Sequence, residues 1–157
     1  MAGTGASLRL TGHGFATLPA GVDLQPTPTG TWTNTGLQIT LPQAGTYHLA
    51  ASVRGVLTAV TPCNVFILAR LLDVTTGAVV PDSEVLVQQI DHAASPAGTV
   101  VSSGANQSAP ILIAYTVPAS RLVRLQVART NVTGTSGSAR IESNASGRTT
   151  LLYERVA

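Results

Sequence analysis

Lysine is absent from this chain of 157 residues, and its nine basic side chains are all arginine. Lysine codons are AT-rich, so the usage points to a GC-rich genome and says nothing about mechanism. Charge of either sign is scarce: Asp, Glu, Lys and Arg make up 10% of the residues, far below the usual quarter of a soluble domain. So little charge cannot wet a whole surface. The remainder must be covered by Ser, Thr, Asn and Gly, or hidden in an assembly. A single cysteine, Cys63, excludes an intramolecular disulfide and cannot make a zinc site alone. Its place between Thr61-Pro62 and the apolar run Val65 to Leu72 reads as a small buried thiol. No apolar run approaches the roughly 18 residues that cross a bilayer as a helix, so no membrane insertion is expected. The first residues lack a basic segment followed by an apolar block, so no secretory signal is expected. The sequons at Asn106, Asn131 and Asn144 then read as ordinary loop and strand-edge polar residues.

What is present is alternation. Hydrophobic residues make up 44% of the chain, enough for one domain with a proper core. In "LPQAGTYHLAASVRG", turn chemistry at Pro42 and Gly45 precedes Tyr47, Leu49, Ala51 and Val53 on one side and mostly polar residues on the other. That is the period of a strand with one buried face. "TWTNTGLQITL" suggests two short strands about a turn at Asn34-Thr35-Gly36, and "NVFILARLLDV" a central strand covered on both faces. Further strands are expected in "SEVLVQQI", weakly near Val100, then in "APILIAYTV", "RLVRLQVART", "SARIES" and "GRTTLLYERV". Cap-like residues at Asp82-Ser83 and Ser120 raise a helical alternative, but the valine-rich alternation favours strand. Eight to ten short strands with turns between them make a sandwich or barrel. Residues 1–30, rich in Gly, Thr and Pro, read as a flexible arm with at most a short strand at Gly14 to Leu18, and residues 31–157 as the domain.

Chemistry is hard to find. His13, His48 and His92 have no partner pattern, and no nucleophile elbow, phosphate loop or histidine pair is written in the chain. An enzyme is not expected. Asp82, Glu84 and Asp91 are spaced like solvated turn acids rather than a calcium loop, so neither a metal nor another cofactor is expected. The aromatics do not interleave with the arginines as nucleic-acid binding requires. Tyr47, Tyr115 and Tyr153 lie in alternating strands and read as core or interface residues with a hydroxyl to satisfy. The formal net charge is +2, but its distribution is uneven. Asp73, Asp82, Glu84 and Asp91 share a stretch without a base, while Arg121, Arg124, Arg129, Arg140, Arg148 and Arg155 crowd the end. Such charges either keep strand edges apart or pair with a partner.

Three of these segments resemble strands of the tumour necrosis factor and complement globular-head superfamily. Pro42-x-x-Gly45-x-Tyr47-x-Leu49, with Ala51 and Val53, resembles the strand entering that jelly roll. "SRLVRLQV" is similar to its late strand, with Val123, Leu125 and Val127 in place and Ala119-Ser120-Arg121 where Gly-Asp is usual. "SGRTTLLYERV" is similar to the closing strand. Order and spacing agree over residues 31–157. The resemblance implies an all-β, antiparallel jelly-roll β-sandwich packed as a homotrimer, one sheet facing the three-fold axis. Tyr47, Leu49, Val53, Tyr115, Val123, Leu125, Val127, Leu151 and Tyr153 would then supply core or trimer packing. Jelly rolls of this kind also occur in bacterial viruses. The expectation is therefore a bacteriophage structural protein in the virion, a capsid decoration or a fibre or tail subunit. It would dock on a capsid or tail protein through the arm and through Arg121, Arg124, Arg129 and Arg148. The competing expectation is a carbohydrate or cell-surface binding module that uses the Ser/Gly/Asn-rich loop 91–108.

Overall fold

A computed structural model describes residues 12–104 and 107–157. Residues 1–11, which open the expected arm, and Asn106 of the first sequon lie outside the described residues. Among the described residues there are twelve strands: β1 His13–Thr17, β2 Val22–Asp23, β3 Thr33–Leu41, β4 Gly45–Val60, β5 Asn64–Asp73, β6 Ala78–Val79, β7 Val85–Asp91, β8 Val100–Ser102, β9 Ser108–Val117, β10 Arg121–Thr133, β11 Ser136–Ile141 and β12 Thr150–Arg155. Two of them, β2 and β6, are two residues long, too short to announce themselves by alternation. The segments weighed as helices are β7 and the first part of β10.

All strand pairs are antiparallel, and they form two sheets. In the first, β4 lies between β12 and β9 along its first half, and between β11 and β8 further on; β1 flanks β12 and β2 flanks β11. In the second, the order is β3-β10-β5, with β6 and β7 both on the far side of β5. The principal strands in chain order are β1, β3, β4, β5, β7, β9, β10 and β12. The first pairs with the last, β3 with β10, β4 with β9, and β5 with β7. This nesting of hairpin within hairpin is a jelly roll.

The alternation of each strand builds the core. Tyr47, Leu49, Ala51 and Val53 of β4 meet Val65, Ile67, Ala69 and Leu71 of β5 and Val123, Leu125 and Val127 of β10, all buried between the sheets. Cys63 is buried with them. The Tyr47 and Tyr153 rings pack edge to face at 5.5 Å, and the Tyr47 hydroxyl donates to the Gln43 carbonyl at 2.9 Å. A phenol placed so deep needs such a partner. β4 is therefore built to pack on the opposite sheet.

The chain departs from expectation in three places. "TWTNTGLQITL" is one strand carrying a bulge rather than two strands about a turn. Pairing steps from Gln38↔Arg124 to Asn34↔Gln126, and Gly36 takes a φ of 85° inside the bulge, where a side chain would be strained. The Thr35 hydroxyl donates to the Leu125 carbonyl and accepts from the Leu37 amide, which keeps the ladder satisfied across the gap. Secondly, β5 is central but its outer face is only half-covered: Phe66, Leu68 and Leu72 keep partial exposure. Thirdly, the described part of the expected arm is built into the sandwich. β1 pairs with β12, the Leu24 amide donates to the Ala139 carbonyl at 2.8 Å, and Leu18 and Leu24 are core residues at 2% and 0% exposure. Two leucines among Gly, Thr and Pro produce no periodic signal, yet each removes a large apolar surface from water.

Candidate functional site

The residues read as core or trimer packing all face inward. Tyr47, Leu49, Val53, Val123, Leu125, Val127 and Leu151 are buried, and Tyr115 and Tyr153 are half-buried against the same core. None lies on an outer face that a second subunit could reach.

The four arginines expected to dock are not gathered on one surface. Arg129 is buried, at 8% exposure; it donates to the Ser136 hydroxyl and the Thr27 carbonyl and so straps the 22–30 segment to β10. Arg121 faces Asp73 at 3.2 Å, paired by charge without an aligned hydrogen bond. Arg124 is half-buried on the outer face of the second sheet and donates to Gln38 Oε1. Arg148, in the β11–β12 connection, is exposed and donates to the Pro19 carbonyl. Arg129 and Arg121 thus serve the fold, the first buried against the 22–30 segment and the second paired by charge to a buried carboxylate.

Asp73 is held by several partners at once. Its carboxylate is fully buried, accepts the Tyr115 hydroxyl at 2.9 Å, and receives the amides of Thr75 and Thr76 at 3.0 and 3.2 Å. It closes one end of the sandwich by joining β5 to β9 in the opposite sheet and to β10 alongside. Tyr115 feels the consequence. Burial first, then the hydrogen bond to Asp73 and its negative charge, raise the phenol above the ordinary tyrosine value of 10.0, with Arg121 opposing. The folded state therefore holds this proton more tightly than the unfolded chain does. Its contribution is complete below the ordinary value and lost as pH rises through the raised one. We expect Tyr115→Phe to flatten the alkaline fall of stability, measured as the urea midpoint between pH 8 and 11. A fall identical to the parent's would contradict this assignment.

The outer face of the first sheet carries the arrangement that sequence reasoning missed. Cross-strand pairing puts Phe15 opposite Leu152, Leu152 opposite Ala50, and Ala50 opposite Leu112. An apolar row thus runs straight across β1, β12, β4 and β9 on the side away from the core. Phe15 is 64% exposed, Leu112 74% and Leu152 37%. Leu152 and Leu112 flank a groove of about 420 Å³ over Ala50. The neighbouring row reads His13, Glu154, His48 and Ala114, all exposed. The row on the other side is Thr17, Thr150, Ser52 and Pro110. The signal in the sequence was adjacency: "ILI" in β9 and "LL" in β12 place apolar residues on both faces. A strand of a two-layer sandwich needs only one apolar face.

Asp82, Glu84 and Asp91 are separately exposed, and among the described residues no three His, Cys, Asp or Glu converge. In the loop 91–108, β8 adds to β4 and the Ser103 hydroxyl donates to the Leu57 carbonyl, so part of this stretch belongs to the sheet. Asn131 lies in β10 and Asn144 in the turn after β11.

No family model and no curated protein matches the chain. Among solved structures it is similar to the VP2 subviral particle of infectious bursal disease virus, at 14% identity over 100% of this chain and 42% of that one, TM-score 0.47. Derived T=1 particles of the same virus give 15% identity over 100% and 40%, TM-score 0.44. The Gt strain structure gives 13% over 94% and 38%, TM-score 0.45. The chain spans less than half the length of these proteins. Likeness at this level assigns neither family nor function, and membership of the tumour necrosis factor and complement superfamily is not shown.

Proposed function

We propose that this chain is a non-enzymatic structural protein of a virion, acting as a homotrimer whose first sheet faces the three-fold axis. The observation that carries the reading is the Phe15–Leu152–Ala50–Leu112 row. It lies on an outer sheet face, where a monomer gains nothing from leaving large apolar side chains in water. Three copies placed about an axis would cover these rows with one another, which also accounts for a chain with so little surface charge. The absence of a role for chemistry is supported by how the buried polar groups are used. Asp73, Arg129, Ser143 and Thr149 are each engaged in bonds that join strands or turns. Within the virion, a capsid decoration or a fibre or tail subunit of a bacteriophage suits a small self-contained jelly roll. Its docking contact would use surface other than Arg121 and Arg129.

Leu112→Asp tests the association. Burying a leucine contributes about 1.5–3 kcal/mol, and a carboxylate in its place brings an unpaired charge into the contact. Sedimentation velocity should show association weakened by at least about 100-fold. Leu112 is exposed, so the melting temperature of the isolated subunit should stay within about 2 °C. Unchanged association would remove this face from the interface. The virion role is tested by antibody labelling of particles recovered from the producing culture, where unlabelled particles would contradict it.

A further inference from the structure

The outer face of the second sheet has a different chemistry from the apolar row. Along β3, β10 and β5, the aligned outward positions are Asn34, Gln126 and Arg70, and in the next row Gln38, Arg124 and Leu72. Arg70 and Arg124 are diagonal neighbours on paired strands, a spacing of about 7–8 Å along the backbone. Like charges so close repel, and a face serving only the fold would neutralise them. Here each is tied to a neutral oxygen instead. Arg70 Nε donates to Gln126 Oε1 at 3.0 Å, and Gln126 Nε2 donates in turn to Asn34 Oδ1 at 2.9 Å. Arg124 donates twice to Gln38 Oε1, at 3.1 and 2.9 Å. The ion pairs among the described residues, Arg121–Asp73 and Arg140–Glu142, lie elsewhere. Both positive charges are therefore oriented and kept rather than cancelled. Trp32, just before β3, completes the strip: the Arg70 guanidinium lies over its ring at 3.9 Å from the centroid. The stack fixes the half-buried indole and covers one of its faces.

We propose that this strip binds a carboxylate-bearing saccharide. The Trp32 ring face opposite Arg70 would stack on a sugar ring, Arg124 and Arg70 would take the carboxylates, and the amides of Gln38 and Asn34 would meet hydroxyls. Charge complementarity selects an anion, because two arginines share this sheet face and neither has an ion-pair partner among the described residues. The flat indole and the planar amides select a sugar over a plain polyanion. The strip and the apolar row lie on outer faces of opposite sheets, so binding does not depend on the trimer.

The test is affinity electrophoresis of the full chain in gels containing hyaluronan, alginate or polysialic acid, with dextran and polyphosphate as comparison polymers. At least one acidic polysaccharide should retard the chain, and retardation should weaken as salt rises. Trp32→Ala and Arg124→Gln should each weaken binding about tenfold or more, Trp32→Phe less, and Arg148→Gln not at all. Leu112→Asp should bind as the parent does, which separates this result from the fate of the trimer. Melting temperatures within a few degrees of the parent's would show that the variants fold. No retardation by any of the three acidic polymers overturns the proposal. So does equal retardation by polyphosphate, or full binding by Trp32→Ala.

Discussion

Asp73→Ala is expected to destabilise the fold by about 3–5 kcal/mol, the usual cost of removing one partner from a buried charge pair. The substitution does more than delete a carboxylate. It leaves Arg121, whose side chain is 17% exposed, facing an apolar gap, and takes the partner from the Tyr115 hydroxyl and from the amides of Thr75 and Thr76. Thr75 and Thr76 are exposed and Tyr115 is half-buried, so water replaces part of what these donors lose, and most of the cost comes from the charge pair itself. Urea denaturation followed by tryptophan fluorescence checks the figure, since the midpoint should fall with little change in slope. Asp73→Asn with Arg121→Gln should recover part of the loss, because the pair is then neutral on both sides. A cost below about 1 kcal/mol for the alanine variant would show that this node does not hold the sandwich end.

Leu24→Ala should cost about 2–5 kcal/mol and lower the melting temperature by roughly 4–15 °C. Leu24 is fully buried in a segment whose composition announces a linker. Around it, Gln25 donates to the Ser136 carbonyl at 2.8 Å, and the Thr27 hydroxyl donates to the Leu24 carbonyl at 2.7 Å. The Gly30 amide donates to the Arg129 carbonyl at 2.8 Å. Deleting residues 1–30 would therefore remove β1, β2 and two core leucines together. The truncated chain should fail to fold cooperatively, so such a truncation cannot isolate a docking role for the arm. A differential scanning trace for Leu24→Ala that overlays the parent's would contradict the packing of this segment.

The fold was legible where alternation was long. β4, β9, β10 and β12 each carry a run of apolar residues at every second position, and the turn residues between them mark their ends, so the sandwich could be read from the chain alone. The bulge in β3 was not legible. Asn34-Thr35-Gly36 writes the same residues for a turn as for a bulge, and only the pairing with β10 decides between them. β2 and the Leu24 contact escaped because a two-residue strand has no period. The site was less legible still. Alternation marks Tyr47 and Leu125 as belonging to an apolar face, but it does not say whether that face meets the other sheet or another subunit; both are buried within the sandwich. The proposed interface rests on the second apolar face, carried by Phe15, Leu112 and Leu152, which becomes visible only when register lines up residues from four strands. The same holds for the polar strip. Asn34 and Gln126 are 92 positions apart in sequence and share a hydrogen bond, with Arg70 and Trp32 brought beside them on one sheet.

In the proposed trimer the apolar row of the first sheet is covered by copies of the same chain. The most direct test is the solution mass of the purified protein by light scattering after size exclusion. A mass of about 48 kDa, three times the 16.0 kDa of one chain, is the predicted result. A monomer of 16.0 kDa that stays monomeric at millimolar concentration would contradict it.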